Sequence, residues 1–302
     1  MTPTDTTEQA LETLIVTTMV GHPRATSSAH GPHDAAALYG GTGYVPGDPK
    51  DYDPDHAVDM VKLLEFLNAT QPDSVAQLDL NANGPKRQKF LARLQGEIAR
   101  RGTIDVLRKG LKHRSASIDL FYGTPTPGNR TARERFETNI FSVTRQLRYS
   151  KDQTRLALDL CLFINGLPVA TFELKNRLTK QTVADAVQQY RRDRDPREML
   201  FQFGRCAVHF AVDDQEVHMC THLTGADSWF LPFNKGWHDG AGNPPSPDGL
   251  KTAYLWKEVL TREGLTDILE NYAQIVEKKD RKTRKKKPSD KLIFRRRSKK
   301  RR

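Results

Sequence analysis

The sequence has little cysteine and no long apolar run, and each absence excludes a class of protein. Its three cysteines, Cys161, Cys206 and Cys220, lie far apart and form no C-x-x-C pair. This spacing excludes a disulfide scaffold or a cysteine zinc site and suits the reducing cytoplasm. No apolar run of about 18 residues occurs, so we expect no membrane-spanning helix. The start of the chain lacks a basic region ahead of its apolar residues, so we expect no signal peptide.

Positive charge is concentrated at one end of the chain. The 302 residues carry a formal net charge of +11. Residues 277–302 contain 16 of the 48 Lys and Arg residues and 3 of the 37 Asp and Glu residues, which leaves 32 basic against 34 acidic residues elsewhere. The near-neutral body gives no sign of nucleic-acid binding, whereas the basic end would bind polyanions without sequence preference. Because like-charged blocks resist folding, we predict a disordered basic tail over residues 278–302.

Apolar periodicity divides the rest of the chain into a helical part and a β-rich part. Helical spacing predicts helices at 5–20, 55–68, 86–108 (broken at Gly102), 180–193, 252–259 and 264–277. Strands are predicted at 117–122, 139–149, 155–164 and 169–175, with a second hairpin around Asp213 to Gln215. The third and fourth strands are apolar on both faces and should be central, while 139–149 reads as half-exposed. We predict an α/β fold with a central mixed sheet flanked by helices, comprising an N-terminal helical part (1–110) and a core (111–277).

Charged residues interrupt the two central strands in the stretch LALDLCLFINGLPVATFELKN, residues 156–176. With a two-residue Asn165-Gly166 loop, strand alternation would place Glu173 on the face opposite Asp159. A loop one residue longer, with a bulge at Gly166, would bring Asp159, Glu173 and Lys175 to one face. We predict the longer loop, because carboxylates stranded on an apolar face cost several kcal/mol, on the order of 2–7, unless a cation pairs with them.

Two neighbouring carboxylates and a lysine are suited to metal-assisted hydrolysis. Paired carboxylates repel and favour protonation, and a bound Mg²⁺, which takes oxygen ligands from one or two carboxylates, reverses that preference. A lysine on the same face can contact a metal-bound water and a phosphate oxygen, which is the equipment for phosphodiester cleavage. The alternative is a buried ion pair within an ordinary sheet, although such pairs are rarely worth their desolvation.

The spacing D-(x)13-E-L-K on consecutive strands resembles the PD-(D/E)xK nuclease core. The surrounding sequence resembles the nuclease domain at the N-terminus of the R subunit of type I restriction enzymes. The resemblance covers residues 5 to about 280 and includes NIFSVTRQLRYS (139–150), TVADAVQQYRRDRDPREMLFQFGRCAVHFAVDD (182–214) and FNKG (233–236). It implies a restriction-endonuclease-like fold and Mg²⁺-dependent cleavage of double-stranded DNA. It also implies partnership with methylation and specificity subunits in the cytoplasm.

The resemblance assigns roles to individual residues. It implies that Asp159 and Glu173 are metal ligands and that Lys175 is the catalytic lysine. A Glu on the first helix, Glu12 or Glu8, could complete the site, but a solvated helix acid is the alternative for each. The family often has Gln-x-x-x-Tyr on the helix after the lysine; here Ala186 holds the glutamine position and Gln189 precedes Tyr190.

Several of these residues have a structural alternative. Tyr190 could belong to the core instead of the site. Arg145 and Gln146 could contact DNA. The basic run RRDRD, residues 191–195, could touch phosphate, although a solvated helix end is the favoured interpretation.

A phosphate-binding loop for an ATP-driven motor is missing. The family's R subunit needs GxxxxGK[ST] for its helicase-type motor, and GNPPSPDGLKT at 242–252 has the wrong spacing. We therefore expect a chain truncated before the motor, with no site for the ATP that the motor would need. The last basic residues would then be either a reading-frame accident or a nucleic-acid-binding tail. The alternative function is a catalytically silent DNA-binding or complex-assembly remnant.

Overall fold

A mixed β-sheet forms the centre of the fold. The computed structural model describes residues 8–21, 41–246, 249–279 and 286–294. The helices are α1 (Glu8–Val20), α2 (Met60–Thr70), α3 (Pro72–Leu78), α4 (Pro85–Lys109), α5 (Arg130–Glu137), α6 (Val183–Asp193) and α7 (Arg262–Asp267), with π-helical turns at Leu255–Val259 and Ile268–Tyr272. The strands are β1 (Val45–Pro46), β2 (Tyr52–Asp53), β3 (Val58–Asp59), β4 (Leu111–His113), β5 (Ala116–Ile118), β6 (Phe141–Arg148), β7 (Ala157–Ile164), β8 (Leu167–Leu174), β9 (Val208–Val212), β10 (Val217–Cys220), β11 (Leu231–Pro232), β12 (Ala273–Lys279) and β13 (Lys286–Phe294).

Seven strands pair in the order β1-β6-β7-β8-β9-β10-β11. The pairs β1–β6 and β8–β9 are parallel and the other four are antiparallel, so the sheet is mixed, as predicted. The strands β7 and β8 lie third and fourth in this order. Their central position follows from apolar side chains on both faces, which need cover from both sides.

Helices cover both faces of the sheet and form two apolar cores. On one face, Leu160 and Phe172 pack with α2 and α4 residues in the larger core. On the other face, Cys161 and Phe163 pack with Val187 and Tyr190 of α6. Strand alternation then assigns the next odd positions, Asp159 on β7 and Glu173 on β8, to the α6 side of the sheet.

The predicted helix break at Gly102 is confirmed. This residue lies within α4 with φ 78° and ψ 156°, a conformation outside the helical region. A Cβ at Gly102 would stand 2.6 Å from Cδ1 of Ile275, and the next amide, Thr103 N, donates to Gly204 O at 2.7 Å. A glycine is required because φ is positive and β12 packs closely against the kink.

Four predicted elements differ in the structure. The helix predicted at 264–277 ends at Tyr272 and gives way to β12, which begins at Ala273. Residues 141–144 are buried, because β1 and α1 cover the strand that alternation alone predicted to be half-exposed. The strand predicted at 117–122 shrinks to the short β5, which pairs with β4 outside the main sheet. The helix predicted from residue 55 begins at Met60, where Asp59 caps it by accepting from Lys62 N at 2.9 Å.

Part of the predicted disordered tail is a strand. β12 pairs antiparallel with β13, with Ala273 opposite Phe294 and Ile275 opposite Leu292. In β13 an apolar triplet (292–294) interrupts the charged run and falls opposite the start of β12. The remainder of the predicted tail, 280–285 and 295–302, lies outside the described residues.

Candidate active site on the central hairpin

The turn between β7 and β8 sets which residues face each other. Ile164 pairs with Leu167, so the loop has two residues, Asn165 (φ 51°) and Gly166 (φ 79°). Positive φ at both positions is the signature of a type I′ hairpin turn. The pairing then shifts from Phe163–Pro168 to Leu162–Ala170, which leaves Val169 as an extra residue in β8.

This bulge places Asp159 opposite Glu173. Leu160 pairs with Phe172, and continuing the register by one residue gives the pair 159 and 173. The predicted facing of the two acids is confirmed, but the predicted three-residue loop is wrong. The extra residue is absorbed by a β-bulge at Val169, next to a proline that cannot donate to the ladder.

Buried hydrogen bonds fix this turn. The Asn165 side chain accepts from Ile140 N at 2.6 Å and donates to Leu120 O and to Asn139 Oδ1, both at 2.9 Å. A Cβ at Gly166 would stand 2.4 Å from the main-chain oxygen of Asp59. The turn therefore has little freedom to adopt the longer form.

The two acids have different partners. Asp159 Oδ2 accepts from the main-chain N–H of Leu174 at 2.7 Å. Glu173 is fully buried, and its Oε1 accepts from Nε of Arg194 at 2.5 Å. Its other oxygen, Oε2, is also buried and has no hydrogen-bond partner among the residues that the structure describes. One carboxylate oxygen of this pair is thus buried and meets no hydrogen-bond partner within the described ranges.

Burial disfavours the ionised form of both acids. Desolvation raises the pKa of Glu173 to about 8, although the guanidinium of Arg194 partly opposes the shift. Desolvation also raises the pKa of Asp159, against the opposing effects of the Leu174 N–H and the Lys175 ammonium. An additional cation close to both acids would stabilise their ionised forms.

The lysine of the motif is mostly buried at the end of β8. Lys175 is 8% exposed, and its Nζ lies 3.1 Å from Oε1 of Glu8 on α1. Its charge acts on both Asp159 and Glu173, which agrees with a position on their side of the sheet. The first helix therefore contacts the motif directly.

The second acid of α1 is buried beside the same site. Glu12 is 3% exposed, accepts from Nε of Arg145, and accepts from Nε2 of Gln146 at 2.6 Å. The charges of Glu8 and Glu12 both act on Asp159 and raise its pKa. The solvated alternative is therefore wrong for Glu12. Glu8 and Glu12 of α1 both form ion pairs at this site, which the apolar periodicity of the helix did not reveal.

Gln146 adopts an unusual backbone conformation opposite Asp159. The β6–β7 register pairs Arg145 with Leu160 and Leu147 with Leu158, which sets Gln146 across from Asp159. Its φ is 47°, a left-handed value that costs a non-glycine residue roughly 1–3 kcal/mol. The hydrogen bond to Glu12 accompanies this conformation.

Arg194 is the residue of the site that sequence reasoning missed. The solvated interpretation of RRDRD is wrong for Arg194, which is 3% exposed. Besides Glu173, it donates to Ala157 O at 2.8 Å and to the Tyr149 hydroxyl at 3.2 Å. Nothing in the run of alternating Arg and Asp separates this arginine from its neighbours, because only the turn after α6 directs it inward.

The helix after the lysine contributes a buried tyrosine. The Tyr190 hydroxyl lies 2.8 Å from Oγ1 of Thr171, which lies 2.7 Å from Nδ1 of His209. Tyr190 is thus a core residue. Its partner Thr171 lies two residues before Glu173 on β8 and on the same face of the strand. Gln189 is half-buried beside it. A role for either side chain in the site stays a prediction.

The donor set is small but suits a hard cation. Within the described ranges, no group of three or more His, Cys, Asp or Glu side chains is arranged to hold a metal ion. Mg²⁺ commonly takes only one or two carboxylates and keeps several waters. The Asp159 carboxylate and Oε2 of Glu173, which has no partner in the segments that the structure describes, fit that requirement.

These features define an α/β protein with two acids and a lysine gathered on one face of a central hairpin. The chain belongs to the family described as Type I restriction enzyme R protein N terminus (HSDR_N), whose sequence pattern matches residues 67–228. The matched segment is more than half of the chain and includes Asp159, Glu173, Lys175 and Arg194. The resemblance deduced from the sequence is confirmed at the level of the family.

A relative from an archaeon agrees with this assignment. The chain is 26% identical over 189 residues to a Methanocaldococcus jannaschii protein named "Putative type I restriction enzyme MjaVIIIP endonuclease subunit". The alignment covers 62% of this chain and 15% of that protein. None of the helices in the described segments is long and apolar enough to cross a membrane.

Proposed function

We propose that this chain is the nuclease part of a type I restriction R subunit and hydrolyses phosphodiester bonds of double-stranded DNA with Mg²⁺. In this proposal the central hairpin is a PD-(D/E)xK core. One observation carries it: Asp159 stands opposite Glu173, Lys175 directly follows β8, and Oε2 of Glu173 is buried with no hydrogen-bond partner in the described part of the chain. Family membership supports the endonuclease role.

Asp159 and Glu173 would hold the metal ion through Oδ1 and Oε2, the oxygens not engaged by Leu174 N and Arg194 Nε. When bound, Mg²⁺ supplies Lewis-acid stabilisation of the phosphate and lowers the pKa of a water molecule. The raised pKa values of both acids support this assignment, because their ionised forms need a compensating cation. Arg194 donates a hydrogen bond to only one of the four carboxylate oxygens of Asp159 and Glu173.

Lys175 would bind the non-bridging oxygen of the scissile phosphate and orient the attacking water. Its ammonium has three donors, and Glu8 accepts only one of them. In the reaction, the water oxygen forms a bond to phosphorus, the bond to the leaving sugar oxygen breaks, and that oxygen gains a proton. The low exposure of Lys175 favours a fixed position, which raises the effective concentration of the reacting groups.

The remaining predicted residues would support this centre. Glu12 would orient Gln146 and Arg145 beside Asp159, and Arg145, 42% exposed, would be the DNA contact among them. Tyr190 and Gln189 would hold α6 against β8. By resemblance to the family, methylation and specificity subunits would be the protein partners in the cytoplasm, and an ATP-driven motor would deliver the DNA.

Cleavage of supercoiled plasmid with Mg²⁺ tests the proposal. We expect nicking by the natural sequence and a loss of at least about 100-fold in Lys175→Ala, since removing one fixed donor to a transition-state charge costs this much. Asp159→Asn, which can still accept from Leu174 N, should lose activity and also lose bound Mn²⁺ measured by electron paramagnetic resonance. The control Lys151→Ala removes an exposed lysine paired with Asp55 and should change neither readout.

The second candidate function is a catalytically silent remnant that binds DNA or assembles with partner subunits. It is favoured by the contact of Arg194 with Glu173, which already supplies one positive charge to the acid. Intact plasmid together with retained DNA binding and no Mn²⁺ binding would establish this function and refute the nuclease proposal. Equal Mn²⁺ binding by the natural sequence and Asp159→Asn would refute the metal assignment.

A further inference from the structure

A basic cavity of about 900 Å³ lies beside α4, away from the central hairpin. Residues of α4, β4 and β12 line it, including six basic and two acidic side chains, which leaves a net charge of +4. Its volume is within the roughly 300–1,000 Å³ typical of small-molecule sites.

The cavity has too few acidic side chains to neutralise its basic side chains. Glu97 contacts Arg93 at 2.9 Å, Arg100 at 2.6 Å and Arg101 at 2.7 Å. Asp105 contacts Arg101 at 2.7 Å and Lys109 at 2.5 Å. Four cations therefore share two carboxylates, and Arg108 and Lys112 add two further charges to the lining.

The basic side chains form a fixed inner wall and an accessible rim. Arg101 is 16% exposed and also donates to Gly110 O and Asp105 O, so its guanidinium is held in place. Arg93, Arg100 and Lys109 are 50%, 68% and 64% exposed. A ligand entering from solvent would meet the rim first and Arg101 behind it.

The cavity lies on the far side of the sheet from the proposed nuclease centre. The apolar side of α4 belongs to the same core as Leu160 and Phe172, which alternate with Asp159 and Glu173 along their strands. Strand β12, which contributes Gln274 and Ile275 to the lining, continues into the most basic sequence of the chain.

We propose that this cavity binds phosphate groups, supplied either by a DNA backbone or by a free polyphosphate. Guanidinium groups bind phosphate oxygens with paired hydrogen bonds, and a pre-positioned cluster loses little side-chain freedom on binding. The cavity would bind phosphate whether or not Asp159 and Glu173 hold a metal.

The test compares two triple variants of the full chain that remove the same charge. The cavity variant is Arg93→Gln with Arg100→Gln and Lys109→Gln. The control is Arg130→Gln with Lys151→Gln and Arg197→Gln, three exposed residues that are likewise ion-paired but lie outside the cavity lining. Binding of a labelled DNA duplex is followed by fluorescence anisotropy against salt concentration, and binding of inorganic tripolyphosphate by calorimetry.

A DNA site predicts that the cavity variant lowers the slope of log affinity against log salt by about 2.7, or about 0.9 for each lost phosphate contact. A free polyphosphate site predicts at least tenfold weaker tripolyphosphate binding with the DNA slope unchanged. The control should leave both readouts near those of the natural sequence. Arg100→Gln alone, at a mostly exposed position, should give about a third of the effect if the triple variant does not fold. Equal behaviour of cavity and control variants with both probes would overturn the proposal.

Discussion

Replacing Arg194 by Met tests whether the buried guanidinium balances the charge of Glu173. Arg194 is 3% exposed and makes its shortest contact, 2.5 Å, with Glu173 Oε1. Met has a similar length and is apolar, so the substitution removes the charge and the donors while largely filling the space. The variant leaves a fully buried carboxylate without a counter-charge.

The expected cost depends on pH. Removing one partner of a buried ion pair destabilises a protein by about 3–5 kcal/mol, because the other charge remains uncompensated. We expect a larger cost at pH 9, where Glu173 is ionised in the natural sequence and the guanidinium of Arg194 stabilises its charge. At pH 6 the cost should be smaller, since a protonated Glu173 needs no counter-charge.

The sign follows from the direction of the pKa shift. The folded chain keeps the Glu173 proton up to about pH 8, whereas the unfolded chain releases it near 4.5. The contribution of this group to stability is therefore complete below pH 4.5 and is lost as the pH rises towards about 8. Without Arg194 the pKa of Glu173 rises further, so the variant continues to lose stability above pH 8, by at most about 1.4 kcal/mol per pH unit.

Urea unfolding at pH 6 and pH 9 measures these free energies. The double variant Arg194→Met with Glu173→Gln should recover most of the loss at pH 9, because both charges are then gone. Arg197→Met, at a neighbouring arginine that is 90% exposed, should cost no more than about 0.5 kcal/mol. Equal losses at both pH values, with no recovery in the double variant, would refute charge compensation and leave packing as the role of Arg194.

Two further predictions concern the turn and the first helix. Gly166→Ala should cost roughly 2 kcal/mol or more in urea unfolding, since φ is 79° and the added Cβ would stand 2.4 Å from a main-chain oxygen. The control Gly128→Ala, at φ 82° with open space around it, should cost about 1 kcal/mol. Equal losses would contradict the steric explanation. Glu12→Gln should lower the pKa of Asp159 in a carboxyl NMR titration, because the charge of Glu12 raises that pKa. The control Glu134→Gln, at an exposed position, should leave the Asp159 pKa unchanged. An unchanged Asp159 pKa in Glu12→Gln would contradict the proximity of the two acids.

Local patterns predicted most of the secondary structure correctly. The break at Gly102 follows from a helix-disfavouring residue inside a periodic segment, and the two central strands follow from continuous apolar runs. The errors fall where neighbouring elements decide burial. The strand β6 is covered by β1 and α1. The end of the helix predicted at 264–277 is instead the start of β12, which pairs with β13.

The candidate site was only partly predictable. The facing of Asp159 and Glu173 was predicted from the cost of leaving carboxylates on an apolar face, although the three-residue loop assumed for it is wrong. The bulge at Val169 was not predictable, since an Asn-Gly turn also fits a hairpin without a bulge. The contact of Arg194 with Glu173 joins residues 21 apart through the turn after α6.

The sequence by itself determined the mixed α/β class, the two central strands and the three charged side chains in them or directly after them. These depend on spacing along one chain and on the cost of desolvating charge, which any fold must satisfy. Only the tertiary structure decided which oxygen of Glu173 lacks a partner among the described residues, that α1 brings two acids to the motif, and that the arginines of α4 surround a cavity. Those features depend on the packing of elements far apart in the sequence, and no local pattern encodes that geometry.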